Sequence, residues 1–292
     1  MIVVGMIRCK YSILWVGDRM KKLFLISILC LGLFVADHVK AYNVVGIGDS
    51  ITTGYGVKEE EKYLSIFCKQ LEEQQPTTCH NMAIDGLTST QLIEKLSDSS
   101  FQTELKKADY ILMSIGGNDY LQEFTNNLPT YLIKQDHYPN IATIQTVLLA
   151  NMKQIYEQLH MLNTTAKIGV VPLYNPYSRH LEHNAVLIQE YNQVKDAYVA
   201  LATAQKQVVI SPDLSSVLED KAYSNVDTQD RALDPHPNAL GHNMIAKQLI
   251  AAMDVRPVMN EVKKPKPQEQ LLYIGISLGV LIIGLIWWKK RT

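Results

Sequence analysis

Five short apolar runs constrain this chain most: VVGIG at 44–48, CHNMAI at 79–84, YILMSIG at 110–116, AKIGVVP at 166–172 and QVVISP at 207–212. Each is too short for a buried helix, and each ends at glycine, proline or a polar turn. Between them lie segments with helical spacing, such as Tyr63, Ile66, Phe67 and Leu71. Strands that are apolar at nearly every position are covered on both faces, and strand alternating with helix predicts a parallel sheet. Right-handed crossovers then give an α/β fold, a three-layer α/β/α sandwich whose ligands sit at the carboxyl ends of the strands.

The two ends differ from this middle. Met20-Lys21-Lys22 precedes LFLISILCLGLFV at 23–35, an apolar run of signal-peptide length and short for a membrane span. Val39 and Ala41 suit the small-residue positions of a signal peptidase site, so the mature chain is expected to begin at Tyr42. The residues before Met20 have no role in such a signal, which points to a start codon assigned too early. Leu29 before Cys30 is larger than a lipoprotein site takes. At the other end, residues 271–288 are uncharged and long enough to cross a bilayer, with Trp287 and Trp288 at an interface and Lys289, Lys290 and Arg291 as the inside flank. The stretch EVKKPKPQEQ before it reads as an extended stalk.

The expected organisation is therefore an upstream extension and signal peptide over 1–41, a folded domain over 42–256 and a stalk over 257–270. A transmembrane helix over 271–288 and a cytoplasmic basic tail over 289–292 complete it. These segments predict a single-pass membrane protein with its domain outside the cell. In that oxidising compartment Cys68, late in a helical stretch, and Cys79, at the start of the next strand, are a candidate disulfide; two free thiols are the alternative. Lysine and arginine number 28 against 29 acidic residues, a balance that lacks the basic footprint of a nucleic-acid partner.

Polar residues collect at the strand ends. Asp49-Ser50 follows the first, DGLTS with Gly86 the second and GGND with Asn118 and Asp119 the third, and LDPHPNALGH with His236 precedes the last helix. A serine hydroxyl becomes a nucleophile when a base takes its proton, and neutral histidine suits that task. Acyl transfer also develops an oxyanion, for which the backbone N–H groups of Ser50 and Gly86 and the Asn118 carboxamide are fixed donors. Singly, each has an ordinary use: Ser50 or His236 as a helix cap, Gly86 in a turn, Asn118 in an Asx-turn. A dinucleotide loop fails because Ile51 stands where its third glycine belongs, and no Gly-Lys pair makes a phosphate loop. A zinc site from His80, His180, His183 and His242 stays open as a weak alternative, because only His180 and His183 are closely spaced and no cysteine or carboxylate frame accompanies them; no cofactor is expected.

The blocks GDS at 48–50, the glycine of IDGLTS, GGND at 116–119 and HPNALGH at 236–242 resemble, in order, those of the GDSL or SGNH hydrolase family. The resemblance covers about Asn43 to Met253. It implies a flavodoxin-like sandwich and a metal-independent serine esterase or lipase acting on esters of lipids, acylated glycans or small alcohols. Ser50 would be the nucleophile, Ser50, Gly86 and Asn118 the oxyanion hole, and His236 the base. In the family the acid usually stands three residues before the histidine, where this chain has Leu233; Asp234 stands two before. Pro235 biases Asp234 toward an extended conformation, in which alternate residues face one side, and this assigns the acid to Asp234. A backbone carbonyl such as that of Leu233 is the alternative. An acyltransferase on the same residues and a glycan- or lipid-binding ectodomain without turnover are the competing functions.

Overall fold

The computed structural model describes residues 41–123, 141–176, 185–225 and 234–255. The architecture from Tyr42 onward lies in one compact unit. The signal run, stalk, apolar run 271–288 and basic tail lie outside the described residues, as do His180, His183 and Leu233. Among the described residues no helix is long and apolar enough to cross a membrane.

The apolar runs form β1 (Tyr42–Gly48), β2 (Thr77–Asn81), β3 (Tyr110–Ser114), β4 (Lys167–Val170) and β5 (Val208–Ile210). All pair in parallel, in the order β2-β1-β3-β4-β5. That order reverses direction beside β1, and a reversal of this kind opens a crevice at the carboxyl ends of the flanking strands. Among the described residues the connecting helices include α1 (Ser50–Thr53), α2 (Tyr63–Glu72), α3 (Ser89–Lys95), α4 (Ser99–Lys107), α5 (Ile141–Leu162), α6 (Ala185–Thr203), α7 (Asp213–Leu218) and α8 (Ala239–Ala252), and residues 117–123 after β3 are also helical.

Successive strand side chains point to opposite faces, so each buried strand feeds two cores. Val45, Ile47, Ile111, Met113, Ile168 and Val170 pack with residues of α3, α4, α5 and α6, among them Leu92, Leu105, Met152 and Tyr198. Val44, Leu112 and Val171 face the other way, onto Phe67 and Leu71 of α2, Leu214 and Leu218 of α7 and Ile245 and Leu249 of α8. The result is a sheet with helices on both sides.

One strand departs from expectation. The run containing β2 reads as buried, yet residues 78–81 are exposed. The reason is its place in the order: among the described residues β2 pairs only with β1 and forms one edge of the sheet. Apolar neighbours in sequence, Met82 among them, pack beyond the strand's end.

Cys68 on α2 and Cys79 on β2 are joined as a disulfide with Cα atoms 6.3 Å apart. The bond ties this exposed edge to a helix that packs against α8. A cross-link over so short a loop is worth about 2–4 kcal/mol through the unfolded chain, useful for a strand with one neighbour.

Candidate active site

Ser50 sits where β1 turns directly into α1. Gly48 makes the turn possible: its φ is +105°, and an added Cβ would collide with the backbone of Ser114. Asp49, not Ser50, caps the helix, its Oδ1 accepting from Ile51 N at 3.1 Å. Asp49 is 3 % exposed, and burial raises its carboxyl above the usual carboxylate range, opposed by the hydrogen bond from Ser114.

A chain of hydroxyls satisfies that acid. Ser114 Oγ donates to Asp49 Oδ1 at 2.6 Å. An ionised Asp49 only accepts, so Thr52 Oγ1, 2.7 Å from Ser114 Oγ, donates to it in turn. Thr52 Oγ1 then accepts from Tyr63 OH at 2.7 Å and from Ser114 N at 3.1 Å. The Tyr63 ring stacks on His242, and Tyr63 N donates to His242 Nδ1. This relay was not legible in the sequence, although a serine inside the apolar run of β3 was a signal that something polar had to meet it.

His236 approaches from the segment before α8. Its Nε2 lies 2.8 Å from Ser50 Oγ, and its Nδ1 contacts Asp234 Oδ1. With Nδ1 facing a carboxylate, the ring proton belongs on Nδ1, leaving Nε2 to accept from the serine hydroxyl. Asp234 Oδ1 also accepts from His236 N at 3.0 Å, so carboxylate and imidazole are fixed to each other within one short turn.

The surrounding backbone pins that turn. Tyr174 OH donates to Pro235 O at 2.6 Å, Asn225 N to His236 O at 2.9 Å and Asn238 N to Tyr223 O at 3.0 Å. Asn238, not His236, caps α8, its side chain accepting from Gly241 N. Tyr55, half exposed, lies against the imidazole with ring centroids 4.6 Å apart. Neither tyrosine stands in a motif, and both were missed for that reason.

Gly86 and Asn118 follow β2 and β3, the two neighbours of β1, and so flank Ser50 along the carboxyl edge. Gly86 has φ +76° and open space where a Cβ would be, which leaves its backbone approachable. Thr53 Oγ1 of α1 donates to Asp85, tying the nucleophile's helix to the Gly86 loop. Asn118 Nδ2 donates to Leu87 O at 3.0 Å, which among the described residues leaves its second N–H unspent. Of the other histidines weighed for zinc, His80 is exposed on β2 and His242 is buried in α8. Among the described residues no group of histidine, cysteine and carboxylate side chains is placed to hold a metal ion.

The GDSL-like Lipase/Acylhydrolase family model matches residues 47–244. The uncharacterized protein YpmR of Bacillus subtilis (strain 168) is 26% identical over 216 residues, 72% of this chain and 80% of that protein. Among solved structures, the lipase Lip_vut3 from a goat rumen metagenome is similar with a TM-score of 0.58 at 21% identity, over 73% of this chain and 97% of that one. An extracellular lipase from Streptomyces rimosus is similar with a TM-score of 0.55 at 16% identity, over 73% and 100%. At these identities the two structures speak for the fold.

The buried end of the relay generates a pH prediction. Burial is the main cause that lowers His242 from its ordinary 6.5 to about 4, with the charges of His236 and Lys62 adding to it. Its folded pKa is depressed, so the unfolded state takes up the extra proton first as pH falls, and stability drops from about pH 6.5 to about pH 4. The shift corresponds to a loss on the order of 3 kcal/mol across that window. His242→Gln should lose less stability than the parent between pH 7 and pH 4 by an amount of that order, measured by chemical denaturation. Buried Asp49 acts in the opposite direction but equally in both proteins, so parallel curves would refute the assignment.

Proposed function

This chain belongs to the GDSL-like lipase/acylhydrolase family and is a GDSL-type serine hydrolase, and from that premise we propose that it cleaves acyl esters of lipids or acylated glycans through Ser50. The observation that carries the reading is the line from Ser50 Oγ through the His236 ring to Asp234 at the carboxyl edge of the sheet, the edge from which the segments carrying Gly86 and Asn118 also leave β2 and β3.

His236 Nε2 takes the proton of Ser50 as Oγ attacks the ester carbonyl. Asp234 holds the ring with Nδ1 protonated and stabilises the imidazolium that forms. The carbonyl oxygen becomes an oxyanion, received by the N–H groups of Ser50 and Gly86 and the free N–H of Asn118. Collapse breaks the ester bond; His236 gives its proton to the leaving alcohol and Ser50 keeps the acyl group. Water then attacks, losing a proton to His236, and the returning proton restores the Ser50 hydroxyl as the acid departs.

The same proposal anchors the enzyme in the cell membrane by residues 271–288, with the catalytic domain extracellular. Its support is the uncharged run, the terminal tryptophans and the basic flank.

Ser50→Ala should abolish hydrolysis of short p-nitrophenyl esters in a protein that still folds, and retention of more than a few per cent of the rate would remove Ser50 as nucleophile. Asp234→Asn should lower kcat by on the order of ten-thousandfold, because the amide favours the wrong tautomer. A loss below about tenfold would give the orienting role to another group. For the location, protease added to intact cells should release active soluble enzyme by cutting within 257–270, and activity that stays protected would reverse the orientation.

A further inference from the structure

Gly86 and Asn118 stand on separate segments, one after β2 and one after β3. Two donors that must meet one oxygen are only as well placed as the link between their segments, and misplacement by an ångström costs about a hundredfold in rate. The carboxylate of Asp119, next to Asn118, accepts from both Ser89 N and Ser89 Oγ. Ser89 is the first residue of α3, three positions beyond Gly86, and it is fully buried. Its hydroxyl also accepts from Asn151 Nδ2 of α5 at 2.8 Å, and the same Nδ2 donates to Thr90 Oγ1 at 2.9 Å, which ties α3 to α5. Asn118 Nδ2 adds a rung one residue beyond Gly86, at Leu87 O.

We infer that Asp119 is a positioning residue that clamps the Gly86 loop to the helical segment carrying Asn118 and so fixes the spacing of the oxyanion donors. The inference rests on the roles proposed for Gly86 and Asn118. The Asp119 carboxylate meets Ser89, while the His236 ring meets Asp234, so the part assigned to Asp119 is positioning and not proton transfer. Burial raises it above the usual carboxylate range and the two bonds from Ser89 oppose that shift, the pattern of a carboxylate held for its hydrogen bonds.

The balance of donors predicts how substitutions behave. Alanine at 119 leaves Ser89 N and Oγ without their acceptor and frees the two segments to move apart. Asparagine keeps one acceptor oxygen, and its NH2 meets a hydroxyl that already accepts from Asn151. It should restore part of what alanine loses.

The test is a double-mutant cycle on purified full chain with a short p-nitrophenyl ester. Asp119→Ala should lower kcat by about 10–100-fold with KM within about threefold of the parent, since the oxyanion exists only in the transition state. Asp119→Asn should recover part of that rate. In an Asn118→Ala background, Asp119→Ala should cost less than about threefold, because the donor it positions is gone. A kcat unchanged by Asp119→Ala, or a loss that multiplies independently of Asn118→Ala, would overturn the clamp. Should Asp119→Ala fail to fold, Ser89→Ala gives the decision: it should lower kcat by about three- to tenfold and couple to Asn118→Ala, and an unaffected kcat would refute the inference. An unaffected Asn118→Ala would remove the oxyanion reading itself, and the clamp with it, while leaving Ser50 and His236 in place.

Discussion

Everything at this site depends on one constraint: β1 must turn into a helix immediately after Gly48 while the carboxylate of Asp49 stays buried. A buried charge without partners costs several kcal/mol, so the turn exists only if donors are waiting for it. Ile51 N supplies one and Ser114 Oγ the other, and the second is itself held by Thr52 and Tyr63. The acid thereby fixes the backbone of the next residue, Ser50, to the neighbouring strand. A hydroxyl placed this way needs no help from the substrate to meet an imidazole 2.8 Å away.

The sheet order distributes the remaining roles. With β1 between β2 and β3, the loops that leave those two strands stand on either side of the serine. The imidazole arrives from a turn tied to Tyr174 and to residues 223–225. Each contributor is fastened to a different core element, so the site inherits the rigidity of the whole sandwich. Local hydrogen bonds then set its final ångström.

The strands were legible in the sequence because burial on both faces leaves an uninterrupted apolar run, and Val44 and Val45 do face opposite cores. β2 was misread because edge position is a property of sheet order, which no run of residues encodes by itself. Ser50 and His236 were legible through short motifs at strand ends. Asp234 was legible because its partner is two residues away, within reach of a local argument. The Asp119–Ser89 pair and the bond from Tyr174 to Pro235 span 30 and 61 positions and join groups of ordinary type, so only the folded chain displays them.

The central claim is that the hydroxyl of Ser50, and no other, is activated by His236. Its most direct test is to treat the purified protein with a fluorophosphonate probe, digest it and locate the adduct by mass spectrometry. The adduct carries a tetrahedral phosphorus and forms only where an activated nucleophile meets a place for the charged oxygen. The account predicts a single labelled peptide modified at Ser50, with labelling lost in His236→Ala. An adduct on a different residue, or ester turnover that continues while Ser50 stays unlabelled, would contradict it.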